Sequence, residues 1–300
     1  MLKTNGWLLS GNESHNLLTK LQEIGTPLGE SKFKNVHWGI KTGANDVYVI
    51  DEHFRDLLVT RDPASDDLIK PWLRGRDINR WEREWAGTYI IVLQNSGDAT
   101  ANNPWNSATT ETEAAYIFES SYPAIFEYMK QHESILRRRQ DQGRFWWELR
   151  PCAYWSEFNE PKIMWAKYGI WPAFTHDTEG YLCGNTAFIL PTQEIALVGI
   201  LNSSTTNWFA KTTFNVVRGG YIEWISGNLE RIPLPNTSSQ VLHDIGYVVH
   251  ELLQDHSNPL RVNELENELN RLVYQAYDLT PAEIELIERE TYKGKEGNGI

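Results

Sequence analysis

The tightest constraint on this chain is a change of hydrophobic period near Ser238. Upstream, apolar residues come in short runs of strand length, such as TYIIVLQ, PKIMWAKY and NTAFILP, separated by Gly, Pro, Asn and Asp. Downstream, Ile245, Val248, Val249, Leu252 and Leu253 recur at i, i+3, i+4, i+7 and i+8. Leu265, Leu269, Leu272, Val273 and Ala276 repeat that helical stripe. The prolines of ERIPLPN (230–236) mark the change, because proline cannot donate to a sheet ladder. Strands and helices segregated in this way imply an α+β fold. Residues 25–236 form a mixed-sheet domain, 237–300 a helical C-terminal subdomain, and 1–24 a helical segment around LLTKLQEIG.

Within that frame the local patterns are specific. Val36, Trp38 and Ile40, then Val47 and Val49, alternate around a hairpin-like loop running from Lys41 to Asp46. A helical region from about 110 to 142 restarts at Pro123, with Ser120 and Ser121 as caps, and closes on Arg137, Arg138 and Arg139. FWWELR reads as a further strand, and IALVGILNSSTTNWFAKTTF as one helix packed on the sheet. Thr280-Pro281-Ala282-Glu283 is a capping box with proline at the first helical position.

Several functions are disfavoured. Cys152 and Cys183 stand thirty-one residues apart without histidines at ligand spacing, against both a zinc site and a disulfide framework. A reducing, cytoplasmic setting is expected. No apolar run approaches the ~20 residues that span a bilayer, so no membrane partner is expected. The eight histidines are scattered, and neither a G-x-S-x-G turn nor a Walker-type loop is present. Asn102-Asn103-Pro104-Trp105 nearly matches the N-P-P-aromatic loop of amino-methyltransferases. Its second residue is Asn103 where that motif has proline, no glycine-rich cofactor loop precedes it, and it reads as a polar turn. Glu160-Pro161-Lys162 fits half of a Mg²⁺-dependent nuclease motif, a carboxylate for the metal and a lysine for the attacking hydroxide.

The formal charge of −12 is unevenly spread. Residues 263–290 carry eight acids against two arginines, half of the net total. LIKPWLRGRDINRWEREW (68–85) instead gathers Arg74, Arg76, Arg80 and Arg83 with Lys70 among three tryptophans. Nucleic-acid recognition needs cations for phosphates, forked donors or amides for base edges, and aromatic faces for unstacked bases. Four segments hold that mixture: the Lys41/Asn45 loop, the 74–83 stretch, the helix end with Arg137, Arg138 and Arg144, and the Asn215–Arg218–Tyr221 turn. Trp72, Trp81 and Trp85 fit the core better than a stacking platform, by the burial habit of tryptophan.

GIKTGANDVYVI, IKPWLRGRDINRW, PKIMWAKYGIWPAF with NTAFILP, LVGILNSSTTNWF and YIEWISGNLERIPLP occur in that order. Together they resemble the TaqI-like C-terminal specificity domain, the target-recognition part of type IIG restriction–modification enzymes and related phage-defence adenine-specific DNA methyltransferases. The resemblance spans about residues 30–290 and includes LNRLVYQAYDLTPAEIELIE near the end. It implies a mixed-sheet DNA target-recognition domain followed by helices. Its partners would be double-stranded DNA and an N-terminal methyltransferase or nuclease portion of a longer polypeptide. S-adenosylmethionine and Mg²⁺ would belong to that parent, with no cofactor and no catalysis in this chain, expected to be a fragment. Carried over by position, Lys41, Thr42 and Asn45 match the family's early loop, Arg74 and Arg76 its G-R-D-I segment, and Lys162 and Lys167 the strand after the variable region. Arg218 and Tyr221 are further candidates for groove contact. Two competing readings remain at this point: a Mg²⁺-dependent nuclease using Glu160 and Lys162, and a protein-interaction module working through the acidic helices.

Overall fold

The computed structural model describes residues 12–254 and 257–292, among which thirteen strands form four sheets. The central sheet runs β2 (His37–Trp38), β10 (Ala187–Pro191), β6 (Lys162–Ala166), β8 (Phe174–Asp177), all antiparallel. A second runs β3 (Val49–Asp51), β5 (Thr88–Ile91), β4 (Ile69–Leu73), β9 (Leu182–Cys183), with only the last pair parallel. The third is a ribbon, β11 (Val216–Val217), β12 (Tyr221–Glu223) and β7 (Tyr168–Gly169). In the fourth, β1 (Gly25–Pro27) meets β13 (Pro233–Pro235). The helices in chain order are α1 (Asn12–Ile24), α2 (Asn45–Tyr48), α3 (Glu52–Arg61), α4 (Glu111–Ser121), α5 (Pro123–Gln131) and α6 (Glu133–Leu136). They continue as α7 (Ile195–Asn202), α8 (Ser204–Thr213), α9 (Ser226–Leu229), α10 (Ser239–Gln254), α11 (Pro259–Ala276) and α12 (Pro281–Tyr292). This is the mixed-sheet region followed by helices that the period change implies.

β6 and β10 are apolar at nearly every position because the central sheet is covered on both faces. Successive strand residues point to opposite sides. Ile163, Trp165, Phe188 and Leu190 therefore enter one core with α7, α8 and the C-terminal helices. Met164, Ala187 and Ile189 enter a second core with β3, β4, β5 and the 105–158 region. Trp165 stacks on Phe188 across the first. From Ala196 to Asn202 every residue of α7 is buried, as befits a helix hydrophobic all round. At Gly199 a Cβ would stand 2.6 Å from Val249 and 2.8 Å from Leu269, so glycine is what lets α10 and α11 close onto α7. α1 joins the same core through Leu17 and Leu21.

Four local expectations are corrected. Lys41–Asp46 does not close a hairpin: β2 pairs with β10, β3 with β5, and Asn45–Tyr48 is a helical turn between them. FWWELR forms no strand; its aromatics fold inward into the second core. The region after Glu111 is three short helices, and α5 is capped by neither serine: Tyr122 occupies its N-cap, while Ser120 Oγ donates to Tyr116 O. The 195–213 segment is two helices. Ser203 turns extended between them, caps α8 by accepting from Thr206 N and donates its own hydroxyl to Ile200 O, the local side-chain competition that breaks helices. The capping box at Thr280 is present in both directions.

Candidate nucleic-acid interface

The turn Gly184-Asn185-Thr186 fastens four segments that lie far apart in sequence. Ile40 N donates to Cys183 O, Gly184 N to Leu73 O, Gly75 N to Thr186 Oγ1, and Lys167 N to Thr186 O. Two glycines make the approach possible. A Cβ on Gly39 would stand 2.1 Å from Gly184 O, and one on Gly75 2.5 Å from Thr186 O. Around this knot lie two clefts of about 760 and 460 Å³ that meet at Asn185. The larger carries Asn45, Arg74, Arg76, Asn79 and Tyr168. The smaller carries Trp38, Lys41, Arg150 and Tyr154. At its outer edge β7 pairs with β12, Ile222 opposite Gly169, so the β11–β12 ribbon continues from the lip of the larger cleft. The ribbon turns through Arg218, Gly219 and Gly220, both glycines at positive φ, and presents Val216, Val217 and Tyr221 to solvent.

The cations of this trough differ in how far they are committed. Arg76 is 73% exposed and only 3.9 Å from Asp77, a loose pair. Lys167 lies over the Tyr168 ring, and neither it nor Arg218 has an ion-pair partner among the described residues. Lys41 and Arg150 share Asp141, at 3.0 and 3.6 Å. Arg74 is held by the buried Asp77, whose carboxylate also accepts from Arg74 N and so shapes the 3₁₀ turn Gly75–Asp77. Thr42 is buried and braces its loop: it donates to Asn45 Oδ1 at 2.6 Å and accepts from Ala44 N. Asn79 and Asn185, both partly exposed, make no side-chain hydrogen bond among the described residues. In the smaller cleft burial pushes the Tyr154 hydroxyl up to about 12, so it stays a neutral donor, here to Trp38 O.

Five sequence candidates stand elsewhere. Lys162 is completely buried, its Nζ 2.5 Å from Asp177 and 2.7 Å from Phe158 O. It offers nothing to a ligand and cannot be the nuclease lysine either. Arg80 binds Glu266 on α11 at 2.5 Å and donates to Asn202 O, so it ties the ribbon to the helices. Arg137 pairs with Glu111 and Glu133, Arg138 donates to its own helix at Ser134 O, and Arg144 caps the carbonyls of Asn106 and Ala108. None of the five lines either cleft. Arg83 likewise pairs with Glu179. Trp72 and Trp81 are core residues as expected, and Trp85 is half-buried with its indole N–H on Thr88 O. Trp105 is also core, donating to the buried Glu148, so its ring is closed to a flipped base. Among the described residues no cluster of three or more His, Cys, Asp or Glu side chains could hold a metal ion. No helix among them is long and apolar enough to cross a membrane.

Sequence reasoning missed Asn79, Arg150, Asn185 and Tyr168. Arg150 was visible as charge. Asn185 was legible only as the residue between Gly184 and Thr186, and nothing in a linear pattern says that this turn is where four segments meet.

An α+β domain with a polar, cation-rimmed trough between its sheets is the class that this geometry defines. A family model described as the TaqI-like C-terminal specificity domain matches residues 70–234, more than half of the chain, and the chain belongs to that family. It is 25% identical over 282 residues to the type II methyltransferase M.BanIII of Aneurinibacillus aneurinilyticus, covering 90% of this chain and 46% of that one. Its fold is similar to that of the type IIL restriction–modification enzyme MmeI, solved in complex with DNA, with a TM-score of 0.61 at 11% identity, over 89% of this chain and 36% of that chain. The type IIG restriction endonuclease BpuSI also aligns, over 88% of this chain and 33% of its own, with a TM-score of 0.46 and 13% identity. The chain thus spans less than half the length of each of these proteins, and its family membership and curated relative set it in a restriction–modification or methyltransferase context.

Proposed function

We propose that the chain is the sequence-specific duplex-DNA recognition domain of a restriction–modification enzyme or modification-based defence methyltransferase. The observation that carries this reading is convergence. Lys41, Asn45, Arg74, Arg76 and Arg150 come from segments spread over 110 positions of sequence, yet they line two clefts that meet at Asn185; Lys167 lies over the Tyr168 ring beside the larger cleft, and Arg218 sits in the turn of the ribbon that pairs with β7. Cations at the rim suit phosphates, uncommitted amides at the floor suit base edges, and a two-stranded ribbon with an arginine at its tip suits a groove. Membership of the specificity-domain family and a fold shared with an enzyme solved on DNA support it. The parent would supply the methyltransferase portion as the partner chain segment, and the setting would be cytoplasmic.

The nuclease reading loses its lysine to Asp177. The acidic-helix reading loses much of its free charge: Glu266 holds Arg80 and Trp81, Glu283 holds Lys20, Glu290 accepts from Ser14 and Trp208, and Glu268 holds Arg271.

Electrophoretic mobility shift on mixed-sequence duplexes at several salt concentrations tests the proposal. Each phosphate contact contributes about −0.9 to the slope of log K against log salt. Arg76→Ala with Lys167→Ala is expected to flatten the slope by about 2 and weaken all sequences alike, whereas Asn185→Ala is expected to relax preference among them. An unchanged slope in the double variant, or no shift of wild-type protein at low salt, overturns the reading.

A further inference from the structure

The charged side chains that line the smaller cleft are Lys41 and Arg150, each about half exposed, and both lean on one carboxylate behind them. Asp141 turns a different oxygen to each: Oδ2 stands 3.0 Å from Lys41 Nζ and Oδ1 3.6 Å from an Arg150 Nη1. It is not one of the lining residues, and its side chain is 19% exposed. The chain around it fixes its position. Arg139, buried beneath, donates through Nη1 to Asp141 O at 3.0 Å and to Thr42 O at 2.8 Å. One guanidinium thus ties the acid to the loop that bears Lys41. Its Nη2 donates to Trp146 O and Glu148 O, which ties in the segment leading to Arg150. Gly43, at positive φ, allows the close approach, since a Cβ there would stand 3.2 Å from Asp141 Cβ.

We propose that Lys41, Arg150 and Asp141 act as one unit that seats a single phosphodiester of the DNA backbone, with Asp141 as its positioning residue. The inference rests on the DNA-recognition function proposed above and deepens it. Geometry and charge together choose the ligand. Two cations already astride a two-oxygen anion are spaced to grip another from the open side, and a phosphodiester presents two unesterified oxygens. Two cations against one carboxylate leave a net charge of +1, which the single negative charge of a diester balances. A free phosphate or phosphomonoester carries nearly two negative charges at neutral pH and would be undercompensated. The buried Arg139 and Glu148 are of opposite sign and leave that balance unaltered. Holding both long side chains in place beforehand also lowers the ordering cost of binding. The sharing has a consequence for each cation. Remove either one and the carboxylate is left whole to the other, so the remaining cation is neutralised. Lys41 and Arg150, far apart in sequence, therefore stand or fall together.

Mobility shift of the whole chain over a range of salt concentrations reads this coupling, because each neutralised phosphate contributes about −0.9 to the slope of log K against log salt. Lys41→Ala, Arg150→Ala and the double variant are expected to flatten the slope by the same amount, about 0.9. Asp141→Asn keeps the side-chain shape and releases both cations. It is expected to tighten binding to all duplexes, with a slope steeper by up to about 0.9, and in that background the two alanine substitutions become additive. Thermal melting of each variant confirms that the folded protein is being compared. In a second arm, retained duplex is challenged with inorganic phosphate at constant ionic strength, with chloride as the control. Phosphate is expected to displace no more DNA than chloride does. Losses of about 0.9 in each single variant and twice that in the double, with Asp141 in place, mean independent cations and overturn the unit. An unchanged slope in all three variants overturns the seat altogether. Displacement by phosphate that Lys41→Ala abolishes assigns the cleft to a free anion and overturns the diester. In each of these cases the wild-type shift remains, and the recognition function with it. Loss of the wild-type shift at low salt removes both.

Discussion

Lys162 and Asp177 form an ion pair with no exposed surface, and they show how residue type alone misleads. A lysine opening an apolar strand resembles a phosphate ligand until its neighbours are known. Here Asp177 also accepts from Glu179 N and Tyr181 N and lies 3.7 Å from Arg83, so one carboxylate organises the end of β8 and the turn beyond it. Breaking a buried pair from one side leaves an uncompensated charge, which costs about 3–5 kcal/mol. Lys162→Met is therefore expected to lower stability by about that amount in urea denaturation, while Arg76→Ala, outward-facing and loosely paired, leaves the midpoint within error. Should Lys162→Met unfold at the wild-type midpoint, its burial in the sheet is wrong. Of the 68–85 arginines only Arg76 is mainly solvent's, because Asp77, Glu266 and Glu179 hold the others.

At the scale of elements the knot at 184–186 decides the shape of the trough. β9 adds to β4 in parallel, and the turn that follows brings β2, the 3₁₀ turn Gly75–Asp77 and β7 to one point. Gly75 has no room for a side chain there, since its Cβ would press on the backbone carbonyl of Thr186 at 2.5 Å. Gly75→Ala is expected to destabilise by about 1–3 kcal/mol through forced overpacking and to weaken DNA retention more than melting alone explains, because Arg74 and Arg76 move with it. Thermal melting and the mobility shift, run in parallel, separate the two effects. Equal loss of binding and stability would mean that the glycine serves the fold and not the geometry of the cations. The β11–β12 ribbon is different in kind: its exposed valines and tyrosine contribute little to either core, so its residues are free to serve a ligand.

Across the whole molecule the two cores share one sheet, and this makes the C-terminal helices part of the fold's interior. Leu252, Leu269 and Ile287 lie in the same cluster as Trp165 and Phe188. Tyr277 donates to Pro233 O at the start of β13, and α1 lies against both α12 and β13. Removing residues 237–300 would strip the cover from α7, whose buried face packs on α10. A chain ending at 236 is expected to be aggregated or to lack a cooperative melting transition. A soluble, cooperatively melting truncation would show instead that the first core closes without the helices.

Much of this was legible in the linear chain. The helical stripes of α10 and α11 were plain because each turn repeats the same apolar face, and β6 and β10 because fully covered strands are apolar throughout. FWWELR was not, because aromatic density marks burial without saying whether the backbone is extended. Nor was the break at Ser203, where hydroxyl and amide side chains compete with the helix for its own carbonyls. The candidate cations divide along the same line. Composition and order determined that this acidic chain carries basic, aromatic segments suited to DNA; which arginines face outward was decided by tertiary structure alone. An arginine's partner is chosen by whatever carboxylate folding brings within about 4 Å, and Glu266 reaches Arg80 across 186 positions of sequence that no local pattern can span.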